Sequence, residues 1–111
     1  MTTKFNITVQ AGANLQFSIK ALNADRTVKD LTGYLGRMQI RATPGGAVLL
    51  DVTAYITING PGGVVTVNVP ATLTSGLLWN TGYYDLEIYT STTNVIRLAE
   101  GFATYSPEVT Q

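Results

Sequence analysis

The sequence contains no cysteine and no histidine, and these two absences remove much of the common chemistry of active sites. Without cysteine, the chain has no disulfide, no thiolate nucleophile and no cysteine-ligated zinc site. Without histidine, it lacks the commonest general base and the commonest metal ligand. We therefore predict a protein that is not an enzyme and that has neither a cofactor nor a metal site.

Charge is also scarce, because charged residues make up only 13% of the 111 residues and the formal net charge is zero. No basic run or stripe suggests a nucleic acid or an acidic membrane surface as a partner. The N-terminal stretch MTTKFNITVQ has no apolar segment of the secretory type, and no apolar run approaches the roughly 20 residues that span a bilayer. We expect a protein that is made in the cytoplasm, with no nucleic-acid partner and no membrane partner.

What the sequence does contain is a regular alternation of apolar and polar residues. The period of two is typical of half-buried antiparallel strands. The alternation is clearest in four segments, KFNITVQ (4–10), NLQFSIKA (14–21), RMQIRAT (37–43) and VVTVNVP (64–70). Turns rich in glycine or proline separate the strands at about 8–12 residues, which is the spacing found in sandwiches and barrels. We predict one all-β domain over residues 1–111, with about 7–9 strands and a flexible C-terminal tail at 106–111.

Three shorter segments carry local signals. In VIRLAEGFATYS (95–106), Glu100-Gly101 is typical of a β-bulge, because glycine accepts the kink at little cost. TLTSGLLW (72–79) predicts a single helical turn capped by Thr72 and limited by Gly76. The acid-hydroxyl pairs at Asp30 and Asp51, each followed two residues later by threonine, indicate local bonds from side chain to backbone.

The stretch NTGYYDLEIY (80–89) raises the question of catalysis, because it holds two carboxylates. Alternation assigns Tyr84, Leu86 and Ile88 to the core and leaves the opposite face to Tyr83, Asp85, Glu87 and Tyr89. Neighbouring acids on the same exposed face form no cleft and have no reason for a raised pKa. A solvated or interface-forming face is therefore favoured over a glycosidase pair.

The order Asn-Thr-Gly-Tyr-Tyr-Asp-Leu also resembles the entry to the F strand of immunoglobulin-like domains. That resemblance implies an antiparallel immunoglobulin-like β-sandwich. Tyr84 would be the corner tyrosine, whose hydroxyl bonds back to the loop backbone, and Leu86 would be the core residue that follows it. Trp79, just before this turn, is expected to cover the end of the sandwich.

Three longer segments together resemble small β-sandwich structural proteins of tailed bacteriophages: DLTGYLGRMQIRA (30–42), GYYDLEIY (82–89) and VIRLAEGFATYSPEVT (95–110). The group is similar to tail-collar and tail-fibre attachment proteins and, more distantly, to the N-terminal domains of baseplate adaptor proteins. No catalytic residue belongs to the resemblance. It implies structural roles in turns, strands and the final hairpin for Leu31, Gly33, Tyr84, Leu86, Arg97 and Gly101.

The function implied by this resemblance is that of a non-enzymatic virion protein, made in the host cytoplasm. It would assemble with copies of itself and with other virion proteins as a ring, collar or attachment subunit that links the tail or baseplate to fibres. The polar faces and the tail supply the candidate interface, which consists of Lys4, Asn6, Thr8, Arg37, Gln39, Arg41, Tyr83, Asp85, Glu87, Tyr89 and Pro107.

Two alternatives remain open from the sequence. The first is a capsid decoration protein, which would be present in far more copies per particle than a tail collar. The second is a carbohydrate-binding module, in which sugar rings would stack on Tyr55, Trp79, Tyr83 and Tyr89. The second alternative requires that these aromatic side chains form one contiguous platform.

Overall fold

The computed structural model describes residues 3–106, and β-strands are the main secondary structure of this part of the chain. Strands account for 54% and helix for 7% of the structure, so the all-β prediction is confirmed. In chain order the nine strands are β1 (Thr3–Lys4), β2 (Ile7–Gln10), β3 (Leu15–Lys20), β4 (Leu35–Arg41), β5 (Val48–Asp51), β6 (Ile56–Asn59), β7 (Val64–Val69), β8 (Thr81–Tyr89) and β9 (Val95–Ser106). A 3-10 turn (Thr53–Tyr55) precedes β6, and one helical turn, α1 (Ala71–Thr74), follows β7.

These strands form two sheets. The large sheet has the order β1-β9-β8-β4-β5, with β2 also paired to β9, and the small sheet has the order β3-β7-β6. The predicted first strand is divided at Phe5-Asn6 into β1 and β2, and both pieces pair with β9 in parallel. All other pairings between strands are antiparallel. The prediction of an antiparallel β-sandwich is therefore confirmed, with a parallel N-terminal edge that the alternation did not indicate.

The core lies between the sheets and consists of the apolar members of the alternating segments. In β7, Val65, Val67 and Val69 are fully buried, and in β8 Leu86 and Ile88 are fully buried. Each such side chain contributes about 1.5–3 kcal/mol relative to full exposure. Because the side chains of a strand alternate between its two faces, the burial of this apolar set directs the polar set of β8 to the outside of the large sheet.

A β-bulge in β9 changes which side chains share the outside of the large sheet. Leu86 pairs with Ala99, whereas the next residue of β8, Glu87, pairs with Arg97. Leu98 is therefore the extra residue of the bulge. The prediction of a bulge at Glu100-Gly101 is therefore wrong. Gly101 is required for a different reason, because a Cβ at that position would overlap the Phe5 carbonyl of the N-terminal edge.

Tyr84 ties this N-terminal edge to the core instead of forming a corner with its own loop. Its hydroxyl donates to the Phe5 carbonyl at 2.7 Å, and its ring packs edge-on against the Phe5 ring. The expected bond to the preceding loop is therefore wrong for Tyr84. Tyr105 makes such a bond instead, because its hydroxyl donates to the Thr74 carbonyl at 2.8 Å and accepts from the Leu77 amide at 3.3 Å.

The predicted helical turn is present as α1, although its N-terminus differs from the prediction. Pro70 occupies the N-cap position with no side-chain cap, so Thr72 does not cap the helix. The side-chain oxygen of Asn14 accepts from the Ala71 amide at 3.0 Å and supplies the missing partner. Trp79 packs at 5.5 Å from the Tyr105 ring beside the core, in agreement with the prediction that it covers this end.

We expect Leu86→Ala to lower the free energy of unfolding by about 2–5 kcal/mol, because it leaves a cavity between the sheets. The matched control is Leu78→Ala, which removes the same atoms from a side chain that is 99% exposed, whereas Leu86 is 0% exposed. Urea unfolding followed by tryptophan fluorescence measures both. Equal losses in the two variants would contradict the assignment of Leu86 to the core.

We expect Tyr84→Phe to cost about 1 kcal/mol, because the hydroxyl no longer donates to the Phe5 carbonyl. Burial raises the pKa of Tyr84 from 10.0 to about 12. The unfolded chain therefore ionises first, and this group makes the folded state less stable as pH rises from 10.0 to about 12. Alkaline spectrophotometric titration of the folded protein should show a component with a pKa near 12 that is absent from the variant.

The control for this titration is Tyr83→Phe, because Tyr83 is the exposed neighbour of Tyr84 on the same strand. It should leave the late component in place. Loss of that component from Tyr83→Phe, or its persistence in Tyr84→Phe, would show that the buried tyrosine has been assigned to the wrong residue.

Candidate functional site

The side of the large sheet that faces away from the core carries four rows of side chains, set by the register of β4, β8 and β9. From one end to the other, the rows are Leu35, Tyr89 and Val95; Arg37, Glu87 and Arg97; Gln39, Asp85 and Glu100; and Arg41, Tyr83 and Phe102. At the edges, Lys4 pairs with Glu100, Asp51 with Gln39, and Val48 with Arg41. We call these fifteen residues the outer face.

The outer face concentrates the charge of a chain that has little charge. It holds four of the seven basic and four of the seven acidic residues. These eight residues are Lys4, Arg37, Arg41, Asp51, Asp85, Glu87, Arg97 and Glu100. The face is therefore rich in charge and neutral overall, which limits the long-range field that it exerts on a partner.

The charges of the middle rows form ion pairs between neighbouring strands. Arg37 donates through Nε to Glu87 Oε1 at 2.8 Å, and its guanidinium lies 4.8 Å from the centre of the Tyr89 ring. Arg97 contacts Asp85 at 3.6 Å and Glu100 at 3.3 Å. Exposed pairs of this kind each contribute little stability, so their main effect is to hold the charged side chains in a fixed pattern.

A second chain of hydrogen bonds runs towards β5. Arg41 Nη2 donates to Gln39 Oε1 at 2.6 Å, and Gln39 Nε2 donates to Asp51 Oδ2 at 3.1 Å. The Thr53 amide donates to Asp51 Oδ1 at 3.0 Å, and the Thr32 amide to Asp30 at 2.9 Å, which confirms the predicted local bonds. The Thr53 amide is also the main reason that the pKa of Asp51 is lowered.

A groove lies across the third and fourth rows, against the N-terminal edge of the large sheet. It encloses about 710 Å³, and the rings of Tyr83 and Phe102 meet in its wall with centroids 5.0 Å apart. Asp85 lines the groove, and partial burial there raises its pKa, with a further contribution from Glu87. The expectation that Asp85 has no cleft and no raised pKa is therefore wrong, because β9 and β1 build walls that the sequence of β8 alone does not reveal.

The groove does not bring its acids together as a free catalytic pair. Arg97 contacts both Asp85 and Glu100, while Glu87 is bonded to Arg37. Within residues 3–106, no group of three or more His, Cys, Asp or Glu side chains is placed to hold a metal ion. No helix in the same range is both long and apolar enough to cross a membrane. The geometry thus presents alternating fixed charges and aromatic rings, an arrangement suited to contact with another surface.

Most of the predicted interface residues do meet on this surface. β4 and β8 are neighbours in the sheet, so their predicted residues lie side by side: Arg37, Gln39, Arg41, Tyr83, Asp85, Glu87 and Tyr89. Lys4 lies at the edge of the same surface. Asn6 instead accepts from the Phe102 amide at 3.0 Å, and Thr8 pairs with Thr104 beyond the rows. Pro107 and the rest of the predicted tail after Ser106 lie outside the described residues.

The residues implied by the resemblance lie in turns, in the core and in the final hairpin. The Leu31 carbonyl accepts from the Tyr34 amide at 3.0 Å, and Gly33 lies between them with a φ of +86°, in the turn that leads into β4. Leu86 is in the core, whereas Tyr84 and Gly101 contact Phe5 as described above. Arg97 lies in the final hairpin of β8 and β9, where its side chain joins the second row of the outer face and contacts two acids.

Sequence reasoning missed several members of the outer face, especially Glu100 and Phe102. Both residues follow the bulge at Leu98, which reverses the alternation of side chains in β9. A prediction that places the bulge at Glu100-Gly101 misses this reversal, so it does not assign Glu100 and Phe102 to the outer face. The contiguous aromatic platform that the carbohydrate-binding alternative requires is not formed by Trp79, Tyr83 and Tyr89. Tyr89 and Tyr83 lie in the first and last rows, and Trp79 packs against Tyr105, so the ring beside Tyr83 is that of Phe102.

No protein-family model and no curated protein sequence matches the chain. Among solved structures, the chain is similar to a crystal structure of chicken TCR, with a TM-score of 0.59 at 10% sequence identity. The similarity covers 98% of this chain, which spans just over half (56%) of the TCR chain. The chain therefore has an immunoglobulin-like fold. In all, 146 chains of solved structures match. A likeness at 10% identity shows the fold, and a fold of this kind does not by itself imply a function.

We expect Asp85→Asn to leave the protein at least as stable at pH 7, because the charged form of Asp85 is disfavoured by burial and by Glu87. The folded-state pKa of Asp85 is raised, so its protonation favours folding as pH falls through that value towards 3.8. Any advantage of the variant should therefore shrink as pH is lowered. Urea unfolding at several pH values measures the difference.

The matched comparison is Glu87→Gln, which should cost about 0.5–1 kcal/mol at pH 7 by breaking the ion pair with Arg37. A larger loss from Asp85→Asn than from Glu87→Gln would mean that the pair with Arg97 outweighs the burial of the Asp85 carboxylate.

Proposed function

We propose that this protein is a non-enzymatic structural protein of a tailed-bacteriophage virion, and that it docks to other virion subunits through the outer face of its large sheet. The observation that carries the proposal is the composition of that face. More than half of the charged residues of the chain lie there, and they are neutral in sum. The apolar side chains Leu35, Val95, Val48 and Phe102 at its two ends are exposed.

This composition suits a surface that becomes covered. Covering an unpaired charge carries a large desolvation penalty, whereas a carboxylate already bonded to arginine keeps a partner when water leaves. The exposed apolar side chains gain by burial, and they lie where a covering subunit would reach both ends of the face. The sandwich beneath is held by a packed core, so the face needs little reordering to bind.

The resemblance in three segments of the sequence supports a virion as the setting. The proposed station is the tail, where the protein forms a ring, collar or attachment subunit between the tail or baseplate and the fibres. Its partners are copies of itself and other virion proteins. A rigid domain with a neutral docking face serves this role, because symmetric repetition turns modest contacts into a durable assembly.

The free edges of the two sheets offer a second type of contact. In the described residues, β5 ends one side of the large sheet and β3 and β6 end the small sheet, so their outward backbone groups have no strand partner there. Such edges accept an added strand from a neighbouring subunit. We regard edge pairing as a supplement to the outer face, since β5 and β6 have only four residues each.

The experiment that tests the proposal is immunogold labelling of intact particles of the phage that encodes the chain, with antibody raised against this polypeptide. We expect label at the tail, in few copies per particle, and co-purification with particles through a density gradient. Dense label over the head would instead establish capsid decoration. Absence of the polypeptide from washed particles would overturn the virion assignment.

A further inference from the structure

The outer face has a pattern that is nearly the same when read from either end. The first row, with Leu35, Tyr89 and Val95, is apolar or aromatic, and the fourth row has Tyr83 and Phe102, with Val48 at the edge beside Arg41. Between these ends lie the two charged rows. A surface with equivalent ends can be covered by a second copy of itself turned end for end, which is the requirement for a two-fold interface.

The two charged rows differ in sign, and the difference suits this arrangement. The second row has two arginines and one glutamate. The third row, with its edge residues, has three acids and one lysine, namely Asp51, Asp85, Glu100 and Lys4. Turning a second copy end for end places the net-positive row of each copy over the net-negative row of the other.

We propose that two copies of this chain pair face to face through the outer face, about a two-fold axis that runs across the strands between the second and third rows. This pairing rests on the proposed function and deepens it, because it names a second copy of the chain as a partner that binds the outer face. It applies to the protein in solution as well as in a particle.

The proposed axis specifies the contacts at β9. Arg97 of each copy lies opposite Glu100 of the other, and this contact occurs twice. Phe102 lies opposite Val95 of the second copy, so that two exposed apolar side chains cover each other. These contacts combine apolar burial with charge complementarity, which together favour one register over others.

The contacts at β8 and β4 follow from the same rotation. On β8, Tyr83 lies opposite Tyr89 of the second copy, and Asp85 lies opposite Glu87. This like-charge contact is offset because Arg97 and Arg37 already bind those two acids within each copy. On β4, the exposed side chain of Leu35 covers the stem of Arg41, whose charge is held by Gln39 and the Gly46 carbonyl.

The size of the face is that of a weak dimer. On β8 the four rows run from Tyr83 to Tyr89, and at about 3.3 Å per residue this stretch has a length of roughly 23 Å. The five strands from β1 to β5 in the order of the large sheet lie at a spacing of about 4.8 Å and give a width of roughly 19 Å. Two copies would therefore bury on the order of 900 Å² in total, which is the size of weak and transient interfaces.

The experiment uses two charge reversals that are each incompatible with a dimer but compatible with one another. In Arg97→Glu, both contacts across the axis become acid against acid, and in Glu100→Arg both become base against base. Each variant alone should dimerise at least about a hundredfold more weakly than wild type. In an equimolar mixture, the carboxylate introduced by Arg97→Glu faces the guanidinium introduced by Glu100→Arg. The native Glu100 of the first variant faces the native Arg97 of the second, so the mixture should recover the dimer.

Sedimentation velocity over a range of micromolar concentrations, with one variant carrying a fluorescent label, measures these outcomes. Far-UV circular dichroism confirms that each variant is folded. Leu35→Arg provides a second disruption that is independent of the ion pairs, because this side chain is 61% exposed and would meet Arg41 of the other copy. The control is Lys20→Glu, an exposed charge reversal on the small sheet, which should leave the dimer unchanged.

Three results would overturn the pairing: a wild-type chain that is monomeric throughout the range, a Leu35→Arg variant that dimerises as well as wild type, or folded reversal variants that do not associate when mixed. None of these results depends on the particle. Labelling of the virion tests the proposed function separately, since a monomeric subunit would still label particles and a dimer would form without them.

Discussion

Burial of the apolar side chains of β8 between the two sheets is the constraint on which the outer face depends. Leu86 and Ile88 lie in the core, and this fixes the direction of every second side chain along the strand. Asp85 and Glu87 are therefore directed outward, towards the side chains of β4 and β9. A slip of one residue in the pairing would place two carboxylates in the core, so burial also fixes the register in which the ion pairs form.

The outer face shows how a chain with few charges can have one strongly patterned surface. Arg37 and Arg97 each contact an acid on an adjacent strand, and Arg41 is held by Gln39 and a turn carbonyl. Because these side chains are fixed by one another, the pattern of positive and negative rows is a stable property of the surface. This property joins the proposed role in a virion to the proposed pairing of two copies, since both require a surface that binds without rearrangement.

Tertiary contacts at the N-terminal edge change the environment of residues that otherwise look ordinary. The parallel pairing of β1 and β2 with β9 brings Phe5 to Tyr84 and Lys4 to Glu100. The same edge walls the groove in which Asp85 is partly buried. When β8 is considered alone, Asp85 has no reason for a raised pKa. The burial that raises its pKa comes from elements that lie far from it in the sequence.

The sequence by itself determined the all-β class and the outward direction of the polar residues of β4 and β8, because alternation is a local property of each strand. The immunoglobulin-like form of the sandwich was implied by the resemblance of residues 80–86 to an F-strand entry, and alternation alone does not indicate it. It also indicated the local bonds of Asp30 and Asp51, which involve residues only two positions apart, and the resemblance implied the turn at Gly33. Only the tertiary structure decided that Tyr84 bonds to Phe5, that Tyr105 binds the loop after α1, and that Glu100 and Phe102 join the outer face. Those features depend on strand order and on a bulge at Leu98, which are set by packing between segments distant in the chain and leave no local pattern to read.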